Sequence, residues 1–358
     1  MKNNYRTASY LSIINELKTN PPQLFQGERI LLLDGLNTFF RAYCSSPVMG
    51  SNGQHMGGIT GFLLSLGFAI KTIKPTRVVV VFDGEGGSLR RKKLYPEYKA
   101  HRTGVINVNR SESIQYSLQD EKDQQKYQIA RLVEYLRVLP VSIITADHVE
   151  ADDIIAYISL MEKESRVYIM SRDKDFYQLL SDNIFVWSPT KKQLYDTDTF
   201  FEEYNMLPQN YMLARAIIGD DSADNIKGVP RVGMKSLLKE VPQLLSSDDI
   251  FSLEDILKFV EEKLQEKKCK KIFQAIYDNR SVIERNLKLI DLSHLDFSTT
   301  TKQQITNQYD RKKINKLDRL MFLKMLGDDG IENAIRTVDV WLREVFHTLN
   351  SKRIDKNE

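Results

Sequence analysis

Apolar and polar positions along the chain fall into blocks with two different periods. RILLLD (Arg29–Asp34) is an apolar run that ends in an acid, and RVVVVFD (Arg77–Asp83) repeats the form. VSIITAD (Val141–Asp147) and RVYIMSRD (Arg166–Asp173) are two more, and NIFVW (Asn183–Trp187) is a candidate fifth. Continuous apolar runs of this length predict strands buried on both faces of a sheet. Between them the spacing turns helical, up to Tyr43, from Ile59 to Ile73, and from near Glu150. Strands alternating with helices predict an α/β fold, with a mostly parallel sheet covered on both sides.

Two stretches break the alternation. Residues 84–126 form a long polar excursion, basic at first and then rich in Ser, Gln, Asp and Glu. Loops this long inside a domain usually carry function or lack fixed structure. After Asn205 the pattern becomes helical, and PQNYMLARAIIGD leads into DNIKGVPRVGMKSLL. At the front, Tyr10–Leu17 has helical apolar spacing that Pro21 and Pro22 interrupt. The expected division is an extension over 1–27, a core over 28–205, a helical region over 206–300, and C-terminal helices with a polar tail over 301–358.

Composition narrows the class. Apolar residues make up 42% and charged residues 28%, the profile of a soluble globular protein. No apolar run approaches the roughly 20 residues of a membrane span, and the N-terminus has no secretory h-region. Cys44 and Cys269 are too few for a disulfide framework or a cysteine-based zinc site. The expectation is a cytoplasmic enzyme, in host cytoplasm if viral. Net charge is +3, but its distribution says more: Arg90, Arg91, Lys92, Lys93, Lys99 and Arg102 cluster against one acid, Glu97. Separate basic tracts around an acidic centre suit a protein that holds a polyanion and places metal on it. Either tract alone is more simply a solvated face.

The acids gather where strands end. Asp34 closes the first run and Asp83 the second; Glu150, Asp152 and Asp153 follow the third, and Asp173 and Asp175 the fourth. In a parallel sheet these ends share one edge, where ligands bind. Carboxylates so gathered repel one another unless cations neutralise them, and all-oxygen ligation favours Mg²⁺ or Mn²⁺ over zinc. A single Asp after a strand is as often a turn residue or helix N-cap. Repetition at four successive strand ends is what favours a site. GVPRVG (Gly228–Gly233), between two helical patterns and just after Asp221 and Asp224, predicts a helix-hairpin-helix turn whose amides can hold a phosphate.

Four motifs then stand in order: LLLDGLNTFFRAY, VVFDGEGGSLRRKKLYPEYKAHR, ADHVEADDIIAYI with VYIMSRDKDFYQLL, and GDDSADNIKGVPRVGMKSL. Together they resemble the flap endonuclease/5′–3′ exonuclease family, from about Ile30 to at least Leu238. The resemblance implies a PIN-like parallel-sheet nuclease core with a helical arch over 84–126, joined to a helix-hairpin-helix region. It implies two metal sites: Asp34, Asp83, Glu150 and Asp152 for the first, with Asp153 close by as a catalytic group, and Asp173, Asp175, Asp221 and Asp224 for the second. The family spacing G-D-x-x-D-N carries one extra residue here, so Asp220 competes with Asp221.

Lys99 and Arg102 match catalytic basic positions at the base of the arch, and Tyr98 an aromatic that can stack on a displaced base. Arg41, Arg90, Arg91, Lys92, Lys93, Lys227, Gly228, Val229, Arg231, Gly233 and Lys235 are the further DNA-binding candidates. The implied activity is two-metal hydrolysis of flap, nicked or 5′-overhang DNA, with RNA/DNA hybrids and primer removal in view. Mg²⁺ is the implied cofactor, Mn²⁺ its substitute, and K⁺ a further ion at the hairpin. The protein is expected to act as a monomer, off the membrane, beside replication proteins. The rivals are a non-catalytic junction-binding protein of the same fold and a PIN-type ribonuclease. Retention of the acids weighs against the first, and the hairpin segment against the second.

Overall fold

Each apolar run becomes a strand because only a sheet interior can bury it on both sides. The computed structural model describes residues 27–100, 108, 117–221, 224–310 and 315–351. Its sheet is built from β1 (Arg29–Asp34), β2 (Arg77–Val81), β3 (Ser142–Ile144), β4 (Arg166–Met170), β5 (Ile184–Ser188) and β6 (Gln193–Tyr195), in the order β3-β2-β1-β4-β5-β6. The first five are parallel and β6 is antiparallel to β5. The chain winds outward from β1 to β3, then restarts at β4 on the other side of β1. That reversal opens a crevice beyond the ends of β1 and β4.

Alternation along β1 divides the core. Leu31 and Leu33 face one layer, with α1 (Gly35–Ser45), α2 (Gly57–Ile73) and α4 (Leu118–Arg137), which follows the short α3 (Leu89–Leu94). Ile30 and Leu32 face the other, against α5 (Ala151–Met161) and α6 (Thr197–Tyr204). A third cluster belongs to α7 (Pro208–Ile218), α8 (Met234–Glu240), α9 (Leu253–Leu264), α10 (Lys271–Asp278) and α11 (Arg280–Ile290). The last helices return to the sheet. α12 (Thr299–Tyr309) docks on β3, where Gln308 Nε2 donates to the Thr145 carbonyl at 2.8 Å. α13 (Arg319–Asp328) and α14 (Val338–Ser351) bury Phe322, Leu326, Val345 and Phe346 in the same layer as Leu31. The C-terminal helices thus complete the core around the sheet.

Three expected strands are shorter than their apolar runs. β2 stops at Val81, β3 at Ile144 and β4 at Met170, so the acids beyond them sit on turns. Just beyond β3, Gly84 packs so closely on the chain that a Cβ there would lie 1.8 Å from the Ala146 carbonyl oxygen. β6 escapes prediction because KKQLYD shows no apolar run. Of the expected arch, α3 and the first part of α4 are described; residues 101–107 and 109–116, and with them Arg102, lie outside the described residues. So does the expected N-terminal extension up to residue 26. Among the described residues no helix is long and apolar enough to cross a membrane.

Candidate active site

The strand-end acids are held by the turns that follow them. Asp34 caps α1, accepting from the Asn37 amide at 3.0 Å, and Ser171 Oγ lies 3.3 Å from its other oxygen. Asp83 accepts from the Ala151 amide at 2.7 Å, at the positive end of α5. Asp152 stands in the first turn of that helix. Asp173 accepts from the Asp175 amide at 2.9 Å and so starts a 3₁₀ turn over Lys174–Leu179. Asp34, Asp83, Asp152 and Asp173 share the wall of one cavity of about 490 Å³, with Lys99, Arg41 and Arg172 on its rim.

The energetics follow from that gathering. Burial, then the charges of Asp83 and Asp173, push the Asp34 carboxyl up to about 7. Burial, with Asp173 and Asp34 beside it, raises Asp152 well above the carboxylate range. Burial and Asp173 likewise bring Asp175 to about 7 against the pull of Arg215. Acids in this state take up protons or hard cations. Among the described residues no three acids converge closely enough to grip one ion as placed; Asp34, Asp83, Asp152 and Asp173 line the cavity wall instead. An all-oxygen set with this unmet demand for positive charge fits a divalent cation of the Mg²⁺ or Mn²⁺ type.

Glu150 sits one step back from the cavity. It is buried, and it receives Lys99 Nζ at 2.6 Å, Arg91 at close range, and the Tyr98 hydroxyl at 3.3 Å. Burial alone would raise it, yet Arg91 and Lys99 hold it below the usual range. Lys99 is placed by a left-handed backbone, φ 55, and by its amide bond to the Asp224 carbonyl at 2.9 Å. Burial would lower its ammonium, but Asp152, Glu150 and Asp224 together raise it, so Lys99 stays charged at the cavity rim.

Several expected roles change with placement. Asp153, expected as a catalytic group, is buried against Arg91, whose two nitrogens lie 2.8 Å from its two oxygens. It steadies Arg91 and does not line the cavity. Arg91, expected to contact DNA, is itself buried, and its Nε donates to the Leu289 carbonyl at 2.8 Å. Tyr98, expected to stack on a base, and Val229, expected at the DNA, are buried in the third apolar cluster. Arg90 reaches Asp153 at 3.3 Å, while Lys92, Lys93, Lys227, Arg231 and Lys235 are exposed. Arg41 donates to Ser65 at 2.8 Å beside the cavity.

At the second set of acids the alternatives separate. Arg215, on α7, lies 3.0 Å from Asp175 and 2.6 Å from Asp220. Asp221 instead turns outward, 64% exposed, and pairs with Lys227. The preference for Asp221 therefore gives way to Asp220, with Asp224 buried nearby. Arg215 and Arg172 are absent from the sequence-based set; the signal was an arginine one helical turn before GD in ARAIIGD and another inside SRDKD.

The expected Gly228–Gly233 turn lies between α7 and α8, just after a two-residue ladder, and within it the Val232 amide donates to the Val229 carbonyl at 3.2 Å. Gly219–Asp220 pairs antiparallel with Ile226–Lys227. Gly228 has no room for a Cβ, which would lie 2.1 Å from the Ile218 carbonyl. Gly233 has open space at that point and serves as the N-cap of α8.

With this geometry in place, comparisons with known proteins give a consistent result. Residues 29–205 match the family model for the 5′-3′ exonuclease N-terminal resolvase-like domain. The 5′-3′ exonuclease of Aquifex aeolicus is 29% identical over 224 residues, covering 62% of this chain and 71% of that one. The thermostable DNA polymerase I of Thermus thermophilus is 30% identical over 311 residues, 86% of this chain and 34% of that longer one. Among solved structures, the 5′-exonuclease of bacteriophage T5 with zinc superposes with a TM-score of 0.58 at 20% identity, covering 90% of this chain and 100% of that one.

Proposed function

Because the chain belongs to the 5′–3′ exonuclease and flap endonuclease family, we propose that its carboxylate-lined cavity is where it hydrolyses the backbone of branched or nicked DNA, with two divalent cations, Mg²⁺ in the cell and Mn²⁺ as a substitute. The observation that carries this reading is the meeting of Asp34, Asp83, Asp152 and Asp173, from four separate chain segments, on one cavity with Lys99. The T5 relative whose fold this chain shares is a zinc-bound structure, which agrees with a divalent centre.

Asp34, Asp83 and Asp152 would hold one cation, with Glu150, expected among its ligands, set behind them on Lys99 and Arg91, and Asp173, Asp175, Asp220 and Asp224 would help hold the second. The cations supply Lewis acidity and lower the pKa of bound water. Around them the chain's own groups do the positioning. Lys99, kept charged by its acidic neighbours, offsets the charge that grows on the phosphate. Arg41 and Arg172 face the same cavity and bind the flanking phosphates. Glu150 fixes Lys99 and is itself fixed by Arg91, so the ammonium is aimed before the substrate arrives. The hairpin from Gly228 to Gly233, with Lys227, Arg231 and Lys235 exposed around it, tracks the duplex through its backbone and gives selectivity for structure over sequence. K⁺ held by hairpin carbonyls and removal of RNA primers by a monomer extend the same reading.

The test is cleavage of a 5′-labelled flap with Mg²⁺, with EDTA, and by Asp173→Asn. Metal-dependent release of short 5′ fragments, lost in the variant, is the expected result. Tight flap binding with no cutting under any divalent metal would remove the catalytic reading and leave a junction-binding protein.

A further inference from the structure

A second cavity, of about 920 Å³, opens on the far side of Arg91 between α3, the turn at His148 and the end of α11. It shares no lining residue with the acidic cavity. Leu89, Leu94 and Leu287 give it an apolar wall. Leu89 and Leu94 are 45% and 43% exposed. Arg90, Lys93 and Lys288 stand around that wall, and Asp291, His294 and Asp296 complete the lining, with Asp291 engaged by His294 at 2.9 Å. Among the described residues neither Lys93 nor Lys288 has an ion-pair partner, while Arg90 Nη2 lies 3.3 Å from both oxygens of Asp153. His148 enters the lining from a left-handed backbone, φ 62, a conformation uncommon outside glycine.

An apolar wall beside two lysines without ion-pair partners suits a ligand with a flat apolar body and an anionic end. We propose that this cavity binds a single nucleotide through its terminal phosphate, the base lying on Leu89, Leu94 and Leu287 and the phosphate between Lys93, Lys288 and Arg90. The size fits, since small-ligand pockets run to roughly 300–1,000 Å³. The nucleotide comes either free or as the 5′-phosphorylated end of a single strand. The two cavities are linked through one chain of contacts: Arg91 lines this one, Lys99 lines the acidic one, and both hold Glu150.

The experiment is calorimetric titration of the whole protein in EDTA with thymidine 5′-monophosphate, thymidine, inorganic phosphate and a 5′-phosphorylated tetrathymidylate. Thymidine 5′-monophosphate is expected to saturate one site and to bind at least about tenfold tighter than thymidine or phosphate alone. Lys288→Glu, an exposed change whose fold is checked by its melting curve, weakens that binding about tenfold by reversing one charge at the phosphate. Asp173→Asn leaves it unchanged. Tighter binding of the tetrathymidylate identifies a strand end as the ligand; tighter binding of the monophosphate identifies a free nucleotide. No saturable binding, equal affinity for phosphate alone, or a Lys288→Glu protein that binds as before would each overturn the proposal. Because EDTA silences metal-dependent cutting, these outcomes stand apart from the flap-cleavage test.

Discussion

Arg215 extends from α7 to within 3.0 Å of Asp175, so an internal cation stands among the acids of the proposed second metal site. The same guanidinium lies 2.6 Å from Asp220. It counters part of the repulsion that burial and Asp173 impose on Asp175, whose carboxyl is nevertheless pushed up to about 7. A divalent ion at this position competes with Arg215 for the same oxygens.

Replacing Arg215 with Leu is therefore expected to separate two effects. Without metal the protein loses stability, because breaking a largely buried pair typically costs about 3–5 kcal/mol. With Mg²⁺ the loss shrinks, because the ion then meets no internal rival. Thermal melts in EDTA and in Mg²⁺ read both quantities. An equal metal-induced rise in Tm for the variant and the unmodified protein would show that Arg215 does not occupy the metal's place.

The extra residue in GDDSADN makes Asp220 and Asp221 a discriminating pair. Asp220 is tied to Arg215 beside Asp175, whereas Asp221 points outward to Lys227. Asp220→Asn should reduce flap cleavage by about a hundredfold or more, a scale typical of a lost electrostatic group at a reacting phosphate. Asp221→Asn should change stability by no more than about 0.5 kcal/mol, as exposed substitutions usually do, and leave the rate near that of the parent. The reverse ranking of rates would return the assignment to Asp221.

That ambiguity illustrates which parts of the protein its sequence discloses. Strand runs such as RILLLD and RVVVVFD are legible because burial on both faces demands unbroken apolar residues, and the acid after each run marks the shared sheet edge. Spacing along the chain does not disclose direction in space. Asp152 and Asp153 are neighbours in the first turn of one helix, yet about 100° of helical rotation per residue sends one to the cavity and the other to Arg91. Tyr98 and Lys99 divide in the same way, one into an apolar cluster and the other to the rim. Arg91 read as part of a basic surface tract because nothing local announces that Glu150, Asp153 and Leu289, all distant in sequence, close over it. The return of α13 and α14 to the layer under Leu31 is likewise a long-range packing event with no local signature.

Arg91 carries its own test. It is 4% exposed, and its partners Glu150 and Asp153 are equally enclosed. Arg91→Leu takes the most buried cation from two buried carboxylates and leaves Glu150 to Lys99 and Asp153 to Arg90, so chemical denaturation should show a stability loss of about 3 kcal/mol. Lys92→Leu, on the exposed neighbour, should fall within about 0.5 kcal/mol of the parent. A DNA-contact role for Arg91 predicts the opposite: normal stability with weakened duplex binding whose salt dependence is reduced.

The acidic cavity also sets how stability responds to pH. Asp34 and Asp175 are each raised from an ordinary 3.8 to about 7 in the folded protein, by burial first and then by neighbouring carboxylates. Between those two values the folded chain holds protons that the unfolded chain has released, so unfolding is favoured as pH rises. Their contribution to stability is fully present below 3.8 and is lost as pH climbs through about 7. Glu150 acts in the opposite sense, held down by Arg91 and Lys99, but its effect falls below its ordinary 4.5 and outside this window. In EDTA the melting temperature should therefore drop between about pH 5 and pH 7.5. Mg²⁺ replaces the lost protons, so the rise in Tm that it produces should be larger at the higher pH, where the carboxylates need no deprotonation to bind it. The double variant Asp34→Asn, Asp175→Asn should make the EDTA curve shallower, with Asp152, also raised by burial and its acidic neighbours, supplying the slope that remains, and should reduce the Mg²⁺ response. A flat curve for the unmodified protein, with the same Mg²⁺ increment at both pH values, would show that these two acids are already ionised in the fold and that the cavity exerts no such demand for cations.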